Sequence, residues 1–277
     1  MRSSLIEKVV LSIICAFVFV IFIFPLFWTF SMSIRNPQEV FSYPPRLWPK
    51  NPTFANYKTV VLETDIPKYF LNSMILVLIS VILVLIISIP SAYGLSRFSF
   101  RISSILIPIL LVVQMVPSIL ISITFFKYSR ILGIYNSLTF LSMTIAAYRS
   151  PFITWLLKSF FDTIPRELEE AALIDGCTRL GALRRIFLPL ATPGIATAVI
   201  FTSIFAWGDF VFPFIMIDDY NKFPVTVGIF AYTEAKYQVT THLVATGAFL
   251  MVIPALIVFL LLQKYVVEAL TAGAIKG

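Results

Sequence analysis

Two groups of residues in this chain have types and spacings that can do chemistry. The first is a polar block, residues 165–189, in which Glu167, Glu169, Glu170 and Asp175 precede Arg179, Arg184 and Arg185, with Ala171, Ala172 and Gly176 among them. Carboxylates beside small alanines permit close approach of another surface and charge-assisted hydrogen bonds to Arg or Lys on it. The second group lies inside long apolar runs: Arg149, Gln114 and Asp209, with Asn72, Tyr148, Trp207 and His242 as weaker members. Polar groups at that depth are costly unless they face protein or water, which makes them candidates to line a path for a polar solute. Acid–base, nucleophilic and metal chemistry have less support. The apolar runs hold no paired acids and no nucleophile beside a base. One histidine and two cysteines, Cys15 and Cys177, in unlike settings form no ligand set.

The elements that must position these residues follow from composition. With 59% hydrophobic and 13% charged residues and a mean hydropathy of +0.93, the chain is expected to be an all-α polytopic membrane protein. Six spans are expected, at residues 9–34, 70–95, 104–125, 138–157, 194–217 and 243–262, within one transmembrane domain covering 1–277. The first run is too long for the apolar core of a signal peptide, and no small-residue cleavage site follows it. Pro25 is expected to kink the first span, and Pro108 and Pro117 to interrupt the third. Loops are expected at 35–68, 127–136, 160–190 and 218–241, and a tail at 263–277. The net charge of +7 falls mostly in loops, as for charges flanking membrane spans, rather than in a nucleic-acid surface. Lys and Arg favour an inner N-terminus by a narrow margin, with the short loop bearing Arg97 and Arg101 the best local support. The loop 160–190 and the C-terminal tail then lie inside as well.

Within the polar block the pattern predicts two short helices. Pro165 suits a first turn, and Glu167, Glu169 and Glu170 complement the positive end of its dipole. Ile164, Leu168, Ala171, Ala172 and Asp175 fall on one face at helical spacing. Gly176 suits a left-handed terminus, and Thr178 can cap a second helix carrying Leu180, Leu183, Ile186 and Phe187. A helix this short needs a membrane surface or a partner protein, and its acidic residues favour the protein. In the spans, helical rise puts Arg149 level with Gln114 and about 10 Å from Asp209, too far for an assured ion pair. Arg149 is then expected either to bond carbonyls unwound near Pro151 or a partner chain, or to line the path.

The spacing E-A-A-x3-G-x9-I-x-L-P, formed by Glu170, Ala171, Ala172, Gly176, Ile186, Leu188 and Pro189, resembles the permease subunits of bacterial ABC importers. The surrounding residues 156–176 and the ending 270–277 resemble, more narrowly, the carbohydrate permeases, and above all the shorter, second permease of maltose-type systems. The resemblance implies that Glu169, Glu170, Ala171, Ala172, Asp175 and Gly176 belong to a coupling helix docked on a cytoplasmic ATPase dimer. It also implies a second, homologous permease, an extracytoplasmic solute-binding protein facing residues 218–241, a carbohydrate cargo and a multi-pass location in the inner membrane. No G-x4-G-K-[ST] loop is present, so ATP and its Mg²⁺ belong to the partner ATPase, and no cofactor or catalytic residue is expected here. Trp207-Gly208-Asp209 departs from the family's usual Trp-Asn-Asp/Glu. Transport of a polyol, a glycerol phosphate or an acidic sugar remains an alternative, as does a secondary carrier acting alone.

Overall fold

Hydropathy accounts for the longest helices of the computed structural model, which describes residues 5–98, 103–235 and 241–274. Arg101 and the end of the tail, 275–277, lie outside the described residues. Every described regular element is helical, as expected. In chain order these are α1 Leu5–Ser33, α2 Ala55–Glu63, α3 Ile66–Arg97, α4 Ser103–Val113, α5 Ser118–Ile131, α6 Leu138–Phe161 and α7 Arg166–Ile174. There follow α8 Arg179–Ala182, a π-helical stretch Leu183–Phe187, α9 Leu188–Leu190, α10 Thr192–Gly208, α11 Val211–Met216, α12 Val225–Ala235 and α13 Thr241–Ala274. The loops expected at 35–68 and 218–241 thus carry α2 and α12, and the expected tail continues α13.

Among the described residues three helices are long and apolar enough to cross a membrane: Glu7–Ser33, Ile66–Arg97 and Thr241–Leu261. Two bent pairs pass together, Ile105–Val113 with Ser118–Ile131 at 85° and Arg179–Leu190 with Thr192–Gly208 at 78°, which raises the number to five at most. The expectation of six is therefore met only in part. The segment outside this set is α6, whose 24 residues include Arg149 and a row of Ser and Thr that lower its hydropathy.

The bend between α4 and α5 has a local cause. Pro117 has no N–H to give, and Gln114, Met115 and Val116 instead close tight turns on the carbonyls of Leu111, Val112 and Val113. After the bend, α5 runs to Ile131 and covers the start of the expected loop 127–136, because the stop signal is Gly133, with φ 68°. By contrast α1 continues through Pro25.

The chain forms two compact units. In the unit of residues 1–67 and 228–253, the carbonyl of Ser33 accepts from Asn56 Nδ2 at 2.7 Å and from Thr246 Oγ1 at 3.1 Å. Arg35, only 2% exposed, donates to Ser31 Oγ and the Arg46 carbonyl and lies over the Trp28 ring. In the unit of residues 68–227 and 254–277, α6 is the central helix, with Ala146, Ile153, Leu157 and Phe161 packed among Val84, Ala92, Tyr93, Phe187 and Ala198. The hydroxyls of Ser142, Thr144 and Ser150 bond within the helix, to the carbonyls of Leu138, Phe140 and Ala146. Gly194 brings α10 against α6, where a Cβ would stand 2.5 Å from Phe160 Cγ.

Candidate functional site

The polar block folds as two helices, with boundaries slightly inside those expected. α7 starts at Arg166 with Pro165 as its cap, and ends in a turn whose geometry requires glycine: Gly176 has φ 85°, and Gly176 and Cys177 donate to the carbonyls of Leu173 and Ala172. Thr178 caps α8 by accepting from the Gly181 N–H at 3.1 Å. The second helix keeps α-geometry for only four residues before the π-helical stretch, which turns Leu183 and Phe187 into the core.

The faces of α7 differ from those the spacing predicts. Glu169 and Ala172 are buried, while Leu168, Ala171 and Asp175 are exposed, so the expected face through Leu168, Ala171, Ala172 and Asp175 is divided. The reason is a single carboxylate. Glu169 is 6% exposed; its Oε1 accepts from Tyr93 Oη at 2.6 Å, Arg97 Nε lies 3.5 Å from Oε2, and Arg179 Nη1 lies 3.6 Å from Oε1. One hydrogen bond and two ion pairs offset the cost of burying the carboxylate, and because it would be left unpaired elsewhere they fix the rotation of the helix. The opposite stripe, Glu167, Glu170, Ala171 and Ile174, faces out, with Ile174 85% exposed. Glu169 is therefore corrected from a free docking group to an internally paired one, whereas Glu170 is open. Sequence reasoning missed Tyr93 and Arg97 as partners of Glu169 and, although it counted Arg179 in the block, missed its pairing with that carboxylate.

The mid-span candidates are drawn together more closely than straight-helix arithmetic predicts. Arg149 Nη2 lies 3.8 Å from Asp209 Oδ2, a correction to both the expected separation and the bond to carbonyls near Pro151. Two local features explain it. α6 runs on as a helix through Pro151, and the carbonyls beside it accept from other side chains, Tyr148 from Gln114 and Ser150 from Ser88. The expected span 194–217 breaks after Gly208, and Asp209 adopts an extended conformation in which its Oδ1 accepts from the Phe212 N–H at 3.1 Å. Asp209 thereby starts α11, and its own carbonyl accepts from Thr226 Oγ1 at 2.8 Å. The Arg149 guanidinium also lies over the rings of Phe205 at 4.5 Å and Tyr148 at 5.0 Å.

Gln114, at the α4–α5 break, donates from Nε2 to the Tyr148 carbonyl, in agreement with its expected level, and Tyr148 Oη reaches the Val116 carbonyl at 3.3 Å. Asn72 and Trp207 are not brought to this cluster. Asn72 uses its Nδ2 on the carbonyls of Asn221 and Phe223, both at 3.0 Å, and Trp207 is 8% exposed against Phe70. Asn72 instead belongs to a strap that fastens residues 218–223. Lys68 Nζ donates to Asn221 Oδ1 at 2.5 Å, and Asn136, at φ 62°, accepts from the N–H groups of Asp218 and Asp219. The Asn221 N–H donates to Asp219 and holds that carboxyl below its ordinary range. Arg130 lies 3.8 Å over the Tyr135 ring and 4.0 Å from Asp218.

The family described as the binding-protein-dependent transport system inner membrane component matches residues 84–271. The trehalose/maltose transport system permease protein MalG of Thermococcus litoralis is 31% identical over 280 residues, covering all of both chains. The sulfoquinovosyl glycerol transport system permease protein SmoH of Agrobacterium fabrum is 31% identical over 255 residues, 92% of this chain and 89% of its own. Among solved structures, a chain of a bacterial ABC transporter involved in the import of the acidic polysaccharide alginate superposes with a TM-score of 0.78. That match is 24% identical and spans 96% of this chain and 98% of the other, a likeness of fold.

Proposed function

The chain belongs to the family of binding-protein-dependent transport system inner membrane components, the permease subunits of ABC importers, and we propose that its cargo is a sugar or oligosaccharide. The names of the trehalose/maltose and sulfoquinovosyl glycerol permeases support that class. In this reading α6 is a fourth span and α10 with α11 a fifth, giving six. At 24 residues α6 is about 36 Å long, enough to cross the hydrocarbon core, and its polar residues are tolerated because they are packed within the protein. The N-terminus, the polar block and the tail lie on the cytoplasmic side, and the strapped residues 218–223 face the solute-binding protein. A second, homologous permease completes the pathway.

The observation that carries the reading is the exposed stripe of α7. Glu167 and Glu170 flank Ala171 and the bare side chain of Ile174. An apolar residue left in water between two carboxylates suits a protein cleft rimmed by Arg or Lys, and the ATPase subunit is the partner we assign to it. Glu170 is the charge that pairs there; Ala171 allows the approach, and Gly176 sets the end of the helix. Charge reversal, Glu170→Lys, is expected to abolish co-purification of the ATPase and solute uptake. Retention of both by that variant removes the docking role.

For the path, the pairing of Arg149 with Asp209 leaves no net charge at their position, which supports an uncharged sugar over an acidic one. Gln114 and the Tyr148 ring border the pair. Stimulation of ATP hydrolysis by binding protein loaded with a neutral disaccharide, and its absence with a uronic-acid oligosaccharide, is the expected outcome.

A further inference from the structure

We propose that Glu169 is the positioning residue that locks the docking helix to the end of α3, so that α3 and α6 move with α7 as one body when the partner ATPase moves it. The proposal rests on the docking reading of α7 above and adds the route by which displacement leaves that helix.

Glu169 is held from both carboxylate oxygens by groups on two other helices. Tyr93 and Arg97 stand four residues apart on the last turns of α3, hence on one face. Arg97 continues the connection: its Nη2 donates to the carbonyls of Phe161 at 2.9 Å and Ile164 at 2.6 Å, at the end of α6 and the turn into α7. Ser96 adds a bond to Asp162 at 2.7 Å. The last turn of α3, the end of α6 and the base of α7 are thus tied by charge-assisted bonds, which resist sliding because each is directional.

The connection from α7 to α10 is of another kind. It passes through α8, the π-helical stretch and α9, then a bend of 78°. Its contacts with the cluster are the half-exposed Arg179 guanidinium at the start of α8, 3.6 Å from Glu169 Oε1, and beyond it the Phe187 ring, packed 5.1 Å from Tyr93 and 5.8 Å from Phe161. Ring packing permits rotation and slip where the carboxylate does not. Glu169 differs in this from its neighbour Glu170: one residue faces the partner and the other transmits to the membrane helices.

The test uses the whole complex, with ATPase, second permease and binding protein, in vesicles. Spin labels are attached at Leu168→Cys on α7, off the docking stripe, and at Ser91→Cys on α3, with Cys15 and Cys177 replaced by Ser. The expected result is a label distance unchanged between the nucleotide-free complex and the complex trapped with ATP and vanadate. In Glu169→Gln the same distance is expected to shift and broaden on trapping, while the ATPase still co-purifies. Tyr93→Phe, which deletes one bond and keeps the ring, is expected to do the same to a smaller extent and serves if Glu169→Gln does not assemble. A nucleotide-dependent distance in the otherwise unaltered protein, or a distance that stays fixed in both variants, overturns the proposal. Loss of the ATPase from Glu170→Lys alongside such a result leaves the docking reading standing and removes only the role of Glu169. Retention of the ATPase by Glu170→Lys removes the docking reading itself.

Discussion

Gly194→Ala tests the contact between α10 and α6. A Cβ at this position would lie 2.5 Å from Phe160 Cγ, 2.6 Å from Cδ2 and 3.0 Å from Cβ. Carbon atoms in contact stand ~3.5–4.0 Å apart, so α10 must withdraw from α6 by about 1 Å or Phe160 must leave its place. The atoms in the way are at the root of the ring, where rotation about χ2 gives no relief. Overpacking of this kind costs about 1–3 kcal/mol. Thermal unfolding of the purified protein in detergent is expected to show that loss for Gly194→Ala. The double variant Phe160→Ala/Gly194→Ala is expected to be more stable than the two single losses predict, because the added methyl then enters the space the ring vacates. If Gly194→Ala unfolds at the parental temperature, or if the two changes are additive, α6 and α10 are not in the close contact described.

At Gly176 nothing stands within 4 Å of an added Cβ, so Gly176→Ala isolates the cost of the left-handed backbone, about 1–2 kcal/mol. Faster amide exchange through α7 is its expected signature, with Asn less harmful than Ala, and unaltered exchange in the Ala variant contradicts the assigned turn. For the ion pair, Asp209→Asn leaves Arg149 without its counter-charge. Breaking a buried pair costs about 3–5 kcal/mol, and the expected loss here is smaller because the Arg149 side chain keeps 21% of its exposure. Arg149→Gln in the same molecule is expected to recover most of that loss in unfolding experiments; a double variant no more stable than Asp209→Asn means the two charges do not interact.

Periodicity and turn chemistry carried much of the helical content. The long apolar runs became α1, α3 and α13, and Gly176 and Thr178 ended and started the helices they were expected to. The errors have a common origin in assuming uniform helices. Gly208 and Asp209 interrupt the fifth expected span, so counting residues from Gly194 misjudged the position of Asp209. Pro117 interrupted the third span as expected, with a bend of 85°, whereas Pro108 lies inside α4 without breaking it and α5 ran on past the expected boundary to Ile131. Glu169 was misread because spacing along α7 says which residues share a face but not which face turns inward. That choice was made by Tyr93 and Arg97, distant in sequence. The available signal was the wheel itself, on which Glu169 and Ala172 lie opposite the stripe formed by Glu167, Glu170, Ala171 and Ile174.

If α6 is a span, as proposed, its polarity has a consequence for how the protein enters the membrane. An Arg near the centre of a helix adds about 2.5–3.5 kcal/mol to its transfer from the translocon into lipid, and α6 carries its Ser and Thr residues besides. The groups that repay this are not present when α6 is made. Asp209 and Phe205, which receive Arg149, are synthesised later, after the whole polar block. In the proposed six-span arrangement α6 therefore depends for its insertion on neighbours such as α3 until α10 emerges. During that interval Arg149 has yet to meet its counter-charge, which the chain supplies 60 residues later at Asp209.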